Sequence, residues 1–220
     1  MVCRCGAERM SAGIIAAMLR AESGPLIGAI VAAMLVTCSA AARPDDDLQR
    51  VTVTDLDGRA VRPLASGQDA AKALVFVFTR SDCPISNRYA PELERLQRQA
   101  AVASIEFWMV FVDPTESARD IREHLQRLAY TGRAVRDPRH ALAAAAGATI
   151  APEAAVFVRE SGAPRLVYRG RIDDRYQAPG RMRPAATTRD LEGVIHQVRD
   201  AGSLVLRETQ AVGCIIADLR

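Results

Sequence analysis

The sequence predicts an α/β domain in which a mixed central sheet is flanked by helices, and three observations support this prediction. Ala73–Thr79 and Ile105–Val112 are continuous apolar runs, typical of parallel strands that are buried on both faces. Apolar residues at helical spacing lie between these runs, which indicates a strand–helix–strand unit. After Pro152, two short apolar segments separated by Ser161-Gly162 indicate an antiparallel hairpin.

Local signals along the chain predict the remaining elements. Alternation over Val51–Thr54, followed by the turn signal Asp57-Gly58, predicts a hairpin at the start of the domain. A short strand is expected at Ala134–Arg136, and a short helix from Pro138 that ends at Gly147. Helical spacing of apolar residues predicts three longer helices, marked by Tyr89, Leu93 and Leu96, by Ile121, Leu125 and Leu128, and by Leu191, Val194, Ile195 and Val198.

The first part of the chain has the pattern of an export signal. Leu26–Ala42 is apolar and uncharged, and it ends in small residues that fit a signal cleavage site. We therefore divide the chain into a leader (1–42), a linker (43–49), a folded domain (50–203) and a C-terminal tail (204–220). Cleavage would place the protein in the periplasm or another extracytoplasmic space. Lipidation at Cys38 and retention of the leader as a membrane anchor are the two alternatives.

Composition and charge argue against several classes of function. The formal net charge is +3 over 220 residues, which does not indicate binding to nucleic acid. The chain contains no phosphate-binding loop, serine triad or nucleotide fingerprint, and we expect neither a cofactor nor a metal. Contact with a membrane is expected only if the leader is retained or lipidated.

Cys83 is the strongest candidate for chemistry. It follows an apolar strand and precedes Pro84, a residue type favoured at the first position of a helix. Unpaired backbone N–H groups and the helix dipole would then stabilise a thiolate at Cys83 and lower the pKa of its thiol. We therefore predict an accessible and reactive thiolate. The alternative is a small buried cysteine at a strand–helix turn.

The segment around Asp82-Cys83-Pro84, from Phe76 to Pro91, resembles the redoxin branch of the thioredoxin superfamily. Within that branch it is similar to a peroxiredoxin-related bacterial subgroup with a single active-site cysteine. Gly170–Tyr176 and Gly213–Ile216 also resemble this subgroup. The resemblance implies a thioredoxin-like fold and thiol–disulfide or peroxide-linked chemistry. It further implies a disulfide-bearing protein or a peroxide as substrate, and a thiol as reductant.

The resemblance also suggests which residues contact a substrate, namely Pro152, Pro84, Ser86 and Arg80. Pro152 stands where thioredoxin-like proteins place a cis-proline against the active-site cysteine. Ser86 replaces the second cysteine of a dithiol motif, so simple dithiol exchange is disfavoured, although its hydroxyl would hydrogen-bond the thiolate. Arg80 stands where peroxiredoxins have a threonine. This difference argues against efficient peroxidase activity, while its charge would act near the sulfur.

Cys214 is the candidate second thiol. After removal of the leader, only Cys83 and Cys214 remain, and such a pair in an oxidising compartment is a candidate disulfide. If the tail folds back, Cys214 would resolve a sulfenic acid or a mixed disulfide on Cys83. The other interpretation is two unrelated cysteines that lie far apart.

Two further functions are alternatives to redox catalysis: a non-catalytic binding module and a copper metallochaperone. Copper-binding relatives on this fold use Cys-x-x-x-Cys with a distant histidine, but residue 87 here is Asn. A thiophilic ion held by the two remaining cysteines stays an alternative. The histidines His124, His140 and His196 are scattered over predicted helices.

Overall fold

The structure, a computed structural model, describes residues 44–65, 71–160, 163–202 and 204–216. The proposed leader, with Cys38, therefore lies outside the described residues, as does the turn predicted at Ser161-Gly162. Within the described ranges, no helix has the length and apolar character that crossing a membrane requires.

The described strands are numbered in chain order. They are β1 (Val53–Asp55), β2 (Ala60–Val61), β3 (Ala73–Thr79), β4 (Ile105–Phe111), β5 (Arg133–Arg136), β6 (Ile150–Ala151), β7 (Glu153–Glu160), β8 (Ala163–Gly170), β9 (Tyr176–Ala178), β10 (Arg181–Met182), β11 (Arg207–Glu208) and β12 (Cys214–Ile215). The described helices are α1 (Pro44–Gln49), α2 (Pro84–Val102), α3 (Ala118–Arg127), α4 (Ala141–Ala146) and α5 (Asp190–Arg199).

A mixed central sheet forms the middle of the domain, as the sequence predicts. Its strand order is β11-β8-β7-β3-β4-β5-β1-β2, while β9 pairs with β10 and β6 pairs with β12 outside it. The strands β3, β4 and β5 run parallel, whereas β7 is antiparallel to β3 and to β8. Because β3 is paired on both sides and covered on both faces, each of its seven residues is buried.

The helices lie close to their predicted positions. The helix α2 begins at Pro84 and continues through Pro91, and α4 ends at Gly147, whose φ of 68° is readily adopted by glycine. Residues 44–49, which were expected to form a polar linker, form the short helix α1. Proline is favoured at the first position of a helix, which is the place of Pro44.

The sheet buries a separate apolar cluster on each face. On β3, Val75 and Val77 pack into the cluster that includes α2, α3 and α5, whereas Phe76 and Phe78 pack into the cluster that includes α4. Ile216, from the C-terminal tail, belongs to the second cluster and is only 4% exposed. The tail is therefore anchored in the core at Ile216, the last residue that the structure describes.

Candidate active site

Cys83 occupies the N-cap position of α2, where the Cys-Pro order predicts it. The chain leaves β3 at Thr79 and turns, and the Cys83 N–H donates to the Arg80 carbonyl oxygen at 3.3 Å. Cys83 has an extended backbone, with φ −83° and ψ 111°, and Pro84 then begins the helix. This arrangement directs the first-turn N–H groups of α2 towards the region of the sulfur.

The C-terminal tail covers the Cys83 sulfur. The strand β12 pairs antiparallel with β6, which places Cys214 opposite Ala151. The Cys83 Sγ donates to the Ala151 carbonyl oxygen at 3.2 Å, and the Cys214 Sγ donates to the Cys83 Sγ at 2.6 Å. Both residues are free cysteines. The structure therefore brings together the two cysteines that the sequence singled out.

The predicted accessibility of Cys83 is wrong for this arrangement of the chain. Cys83 is 0% exposed, because Cys214 and the β6 strand lie over its sulfur. Cys214 itself is half-buried. Cys214 is therefore the more exposed residue of the pair.

The pKa values of the two thiols move in opposite directions. Burial raises the pKa of the Cys83 thiol. However, the hydrogen bond from Cys214 and the groups of Ser86 and Ile85 at the start of α2 favour the thiolate more, so the pKa lies below its ordinary value. Burial and the neighbouring Cys83 sulfur raise the pKa of Cys214. Cys83 is therefore the first of the pair to ionise, and Cys214 keeps its proton and donates it.

A titration by thiolate absorbance of the reduced protein, with Cys3, Cys5 and Cys38 replaced by serine, should show two separated steps. We expect the first step below the ordinary thiol pKa of about 8.5 and the second step above it. Cys83→Ser should remove the first step. Cys214→Ala should move the first step to higher pH, because the variant loses an S–H donor that stabilises the Cys83 thiolate. A first step that persists in Cys83→Ser would contradict this assignment.

The peptide bond between Ala151 and Pro152 is cis, the geometry that the resemblance implies. A buried carboxylate fixes this loop, since Glu153 accepts hydrogen bonds from the Thr149 N–H at 2.8 Å and the Ile150 N–H at 3.2 Å. Burial raises the pKa of Glu153, against the opposing effect of these two donors. Glu153 was not among the predicted site residues. The only signal for it in the sequence was an acid directly after Pro152 at the start of a buried strand.

Ser86 and Pro84 lie beside Cys83 in different environments. Ser86 is buried, and its hydroxyl has no hydrogen-bond partner among the described residues, although it contributes to lowering the pKa of Cys83. Pro84 is exposed at the first position of α2. These placements leave Ser86 available to stabilise a thiolate and Pro84 available to contact a partner.

Arg80 is held by acidic residues. Its guanidinium donates to Asp82 at 2.9 and 2.8 Å and to Asp113 at 3.1 Å. The carboxylate oxygens of Asp82, Asp113 and Glu116 lie within 4.8 Å of one another, so Arg80 neutralises part of an acidic cluster. Its charge also favours the thiolate of Cys214, although burial of that thiol has the larger effect. The guanidinium of Arg80 was expected to act on the Cys83 sulfur. Its main contacts are instead these carboxylates.

Among the described residues, no histidine lies with the two sulfurs as a possible metal ligand. The one group of potential metal ligands in that part of the chain is the acidic cluster of Asp82, Asp113 and Glu116. His124 packs edge-on against the Phe111 ring, with centroids 6.3 Å apart. The His140 Nε2 lies 2.8 Å from the Val112 carbonyl oxygen. The Cys83–Cys214 pair thus lacks the histidine that the copper alternative would use.

Strand pairing attaches the described part of the tail to the domain at two places, and the first lies at residues 207–209. The strand β11 pairs parallel with β8, and the Thr209 N–H donates to the Arg169 carbonyl oxygen at 3.0 Å. Thr209 Oγ1 also accepts from the Arg171 N–H at 3.1 Å and lies 2.7 Å from the Tyr168 hydroxyl. Gly170 has a φ of 145°, and a Cβ there would lie 2.8 Å from the Thr209 nitrogen. Glycine therefore lets the tail approach closely at this point.

The second attachment brings Cys214 to the site. The Ile216 N–H donates to the Thr149 carbonyl oxygen at 2.9 Å, next to the Cys214 pairing with Ala151. A Cβ at Gly213 would lie 2.6 Å from the carbonyl carbon of Ala151 and still closer to its oxygen. The absence of a side chain at Gly213 is therefore required for β12 to lie against β6.

The Gly170–Tyr176 segment follows β8 in the chain and is hydrogen-bonded to α2. The Tyr89 hydroxyl donates to the buried Asp173 at 2.5 Å, and the Arg175 N–H donates to the same carboxylate oxygen at 2.9 Å. Burial and the Asp173 carboxylate raise the pKa of Tyr89. Tyr89 follows Cys83 by less than two helical turns, so this segment supports the helix that begins after Cys83.

Comparison with known proteins shows the fold. No protein-family model and no curated protein matches the chain. A hypothetical protein from Sinorhizobium meliloti is similar in structure, with a TM-score of 0.62 and 20% identity over 75% of this chain and 88% of that chain. An uncharacterized conserved protein from Geobacillus kaustophilus also has a TM-score of 0.62, with 22% identity over 75% of this chain and 86% of that chain.

A third solved structure is described as a secreted Mycobacterium tuberculosis disulfide oxidoreductase homologous to DsbE of Escherichia coli. It is 20% identical, with a TM-score of 0.47 over 69% of this chain and 98% of that chain. The strand order, the cis-proline and the α2 helix that begins after Cys83 define a thioredoxin-like α/β fold in this protein, and the prediction of that fold is confirmed.

Proposed function

We propose that the protein is a thiol–disulfide oxidoreductase that alternates between two free thiols and a Cys83–Cys214 disulfide. The observation that carries this proposal is the 2.6 Å approach of two sulfurs from residues 131 positions apart in the sequence. The approach depends on a strand pairing that places Cys214 against the residue before Pro152. A thiolate-stabilising helix N-terminus on one side and a second thiol on the other are the two parts that disulfide exchange needs.

Cys83 is the nucleophile in this proposal. Its thiolate attacks one sulfur of a substrate disulfide, and the other substrate sulfur leaves as a thiolate. Cys214 then gives up its proton and attacks the Cys83 sulfur, which releases the second substrate thiolate and closes the Cys83–Cys214 disulfide. The substrate gains two electrons, and the protein loses two. Cys214 thus takes the role that a second cysteine at position 86 has in dithiol motifs, where this chain has Ser86.

A disulfide is favoured over a peroxide as the substrate. The guanidinium of Arg80 is engaged by Asp82 and Asp113, so it is not free to position a peroxide at Cys83. The proposal therefore takes disulfide exchange as the main activity and peroxide-linked activity as secondary. It does not depend on membership of the peroxiredoxin-related subgroup. Pro152 would serve as the platform beside the sulfur when the tail has moved away.

Export completes the proposed function. The apolar leader that ends at Ala42 supports transport to the periplasm or another extracytoplasmic space. In such a compartment, disulfide-bearing proteins are available as substrates.

Mild oxidation should close the Cys83–Cys214 disulfide within one chain. We expect treatment of the full chain with glutathione disulfide, in a background with Cys3, Cys5 and Cys38 replaced by serine, to give one product two hydrogen atoms lighter. Mapping of the peptides by mass without reduction should show the Cys83 and Cys214 peptides linked. The reason is that the two sulfurs already lie in contact in the reduced chain.

The contrary results are equally specific. Glutathione held on Cys83 with a free thiol at Cys214 would show that the tail does not resolve a mixed disulfide on Cys83. Two thiols that resist oxidation altogether would favour the binding-module alternative, because the tail would then only fill the groove.

A further inference from the structure

We propose that Cys214, and not Cys83, is the sulfur through which the oxidised protein takes up electrons. An incoming dithiol reductant would attack Cys214 in the Cys83–Cys214 disulfide, and Cys83 would leave. This inference rests on the proposed redox cycle and concerns its reductive half, for which the partner class is a protein or small molecule with two neighbouring thiols.

Access to the two sulfurs is unequal. Cys83 is 0% exposed, and its sulfur contacts the Ala151 carbonyl oxygen at 3.2 Å as well as Cys214. Cys214 is half-buried and lies on β12, which has β6 as its one partner strand among the described residues. A thiolate attacks a disulfide from the side opposite the leaving sulfur, so access decides which sulfur is attacked. Attack on Cys83 would have to pass through the groups that bury this residue completely, whereas Cys214 is already partly exposed.

The substrate groove offers no alternative route to Cys83 while the tail is bound. An extended partner that paired with Ala151 would need the position that Cys214 already occupies. The neighbouring position is also filled, because the Ile216 N–H donates to the Thr149 carbonyl oxygen at 2.9 Å and the Ile216 side chain is 4% exposed in the apolar cluster beside α4. A reductant therefore meets the tail first.

The bond changes agree with this order. A reductant thiolate forms a bond to the Cys214 sulfur, the Cys83–Cys214 bond breaks, and Cys83 takes the electron pair as a thiolate. The thiol of lower pKa is the better leaving group, and Cys83 is that thiol. The second thiolate of the reductant then attacks the first reductant sulfur. Cys214 leaves, takes a proton from water, and the reductant ends as a disulfide.

The test is to identify which cysteine carries the first mixed disulfide. The full chain in the Cys3, Cys5 and Cys38→Ser background is oxidised and mixed briefly with reduced glutathione, a monothiol that cannot complete the second step. The reaction is quenched with acid, the free thiol is alkylated, and the peptides are mapped by mass. We expect glutathione on Cys214 and the alkyl group on Cys83. An equal or larger share of glutathione on Cys83 would overturn the proposal.

Two variants test whether the tail is the shield. Ile216 is buried, whereas its neighbour Ile215 is 72% exposed. Ile216→Ala should loosen the tail and raise the share of glutathione on Cys83 several-fold, and Ile215→Ala should leave the distribution unchanged. Equal shifts in both variants would contradict shielding by the tail.

If no Cys83–Cys214 disulfide forms before glutathione is added, the proposed redox cycle itself has failed, and that result is separate from a wrong site of attack.

Discussion

Cys83→Ser should remove fast disulfide exchange and leave only a slow reaction at Cys214, whereas Cys214→Ala should leave a protein that forms mixed disulfides but releases them slowly. Serine at position 83 keeps the size of the buried side chain but does not form the anionic nucleophile that exchange requires. In Cys214→Ala, Cys83 still attacks a disulfide, but no internal thiol follows. We expect release to slow by at least about 10²-fold at ~1 mM external thiol, because an oriented internal thiol acts at a far higher effective concentration.

Each reduced protein, with Cys3, Cys5 and Cys38 replaced by serine, is mixed with excess glutathione disulfide, and the mass of the intact protein is measured over time. The parent should pass quickly to the internal disulfide, Cys214→Ala should accumulate one glutathione on Cys83, and Cys83→Ser should react slowly at Cys214 alone. Thermal unfolding of all three proteins serves as the control for folding. Fast exchange in Cys83→Ser would assign the nucleophile to Cys214 and contradict the proposed order of steps.

The position of Cys83 could be predicted because it depends on neighbouring residues. An apolar strand buried on both faces, then Cys83 and Pro84, are local signals, and β3 and α2 form from residues that are close together in the chain. The glycine stop of α4 at Gly147 is a similar case. Such elements carry the periodicity and the capping residues from which secondary structure can be read.

The covering of Cys83 could not be predicted in the same way. The strands β6, β11 and β12 have two residues each, too few to show an alternating pattern. The pairing of Cys214 with Ala151 connects distant parts of the chain, and nothing near Cys83 in the sequence indicates it. The accessibility of the Cys83 thiol was therefore inferred from its place at the helix N-terminus alone. That inference is wrong because the tail covers the sulfur.

The same limitation applied to Gly213. It was part of the segment Gly213–Ile216 that resembles the redoxin subgroup, but its physical role depends on the carbonyl group of Ala151 opposite it. A glycine in a tail without strand periodicity is most simply a flexible position. Only the pairing of β12 with β6 shows that a missing side chain is required there.

Gly213→Ala should weaken closure of the Cys83–Cys214 disulfide without unfolding the domain. The added Cβ would lie 2.6 Å from the Ala151 carbonyl carbon, and because the obstructing group is backbone it leaves little room for adjustment. Overpacking of this kind costs about 1–3 kcal/mol. At ~1.4 kcal/mol for each factor of ten, the equilibrium constant for closing the disulfide should fall by roughly 5- to 150-fold. The value is measured by equilibrating each protein in glutathione buffers of known composition.

Gly193→Ala is the matched control, because a Cβ at Gly193 on α5 would meet nothing within 4 Å. The same chemical change there should leave closure of the disulfide unaltered and should stabilise the helix by up to ~1 kcal/mol. Both variants should unfold cooperatively, since neither glycine lies in the apolar clusters of the sheet. If Gly213→Ala closed the disulfide as readily as Gly193→Ala, the fit of β12 against β6 would not set the approach of the sulfurs. A loosely tethered tail would then suffice to bring Cys214 to Cys83, and the buried position of Cys83 would not persist in solution.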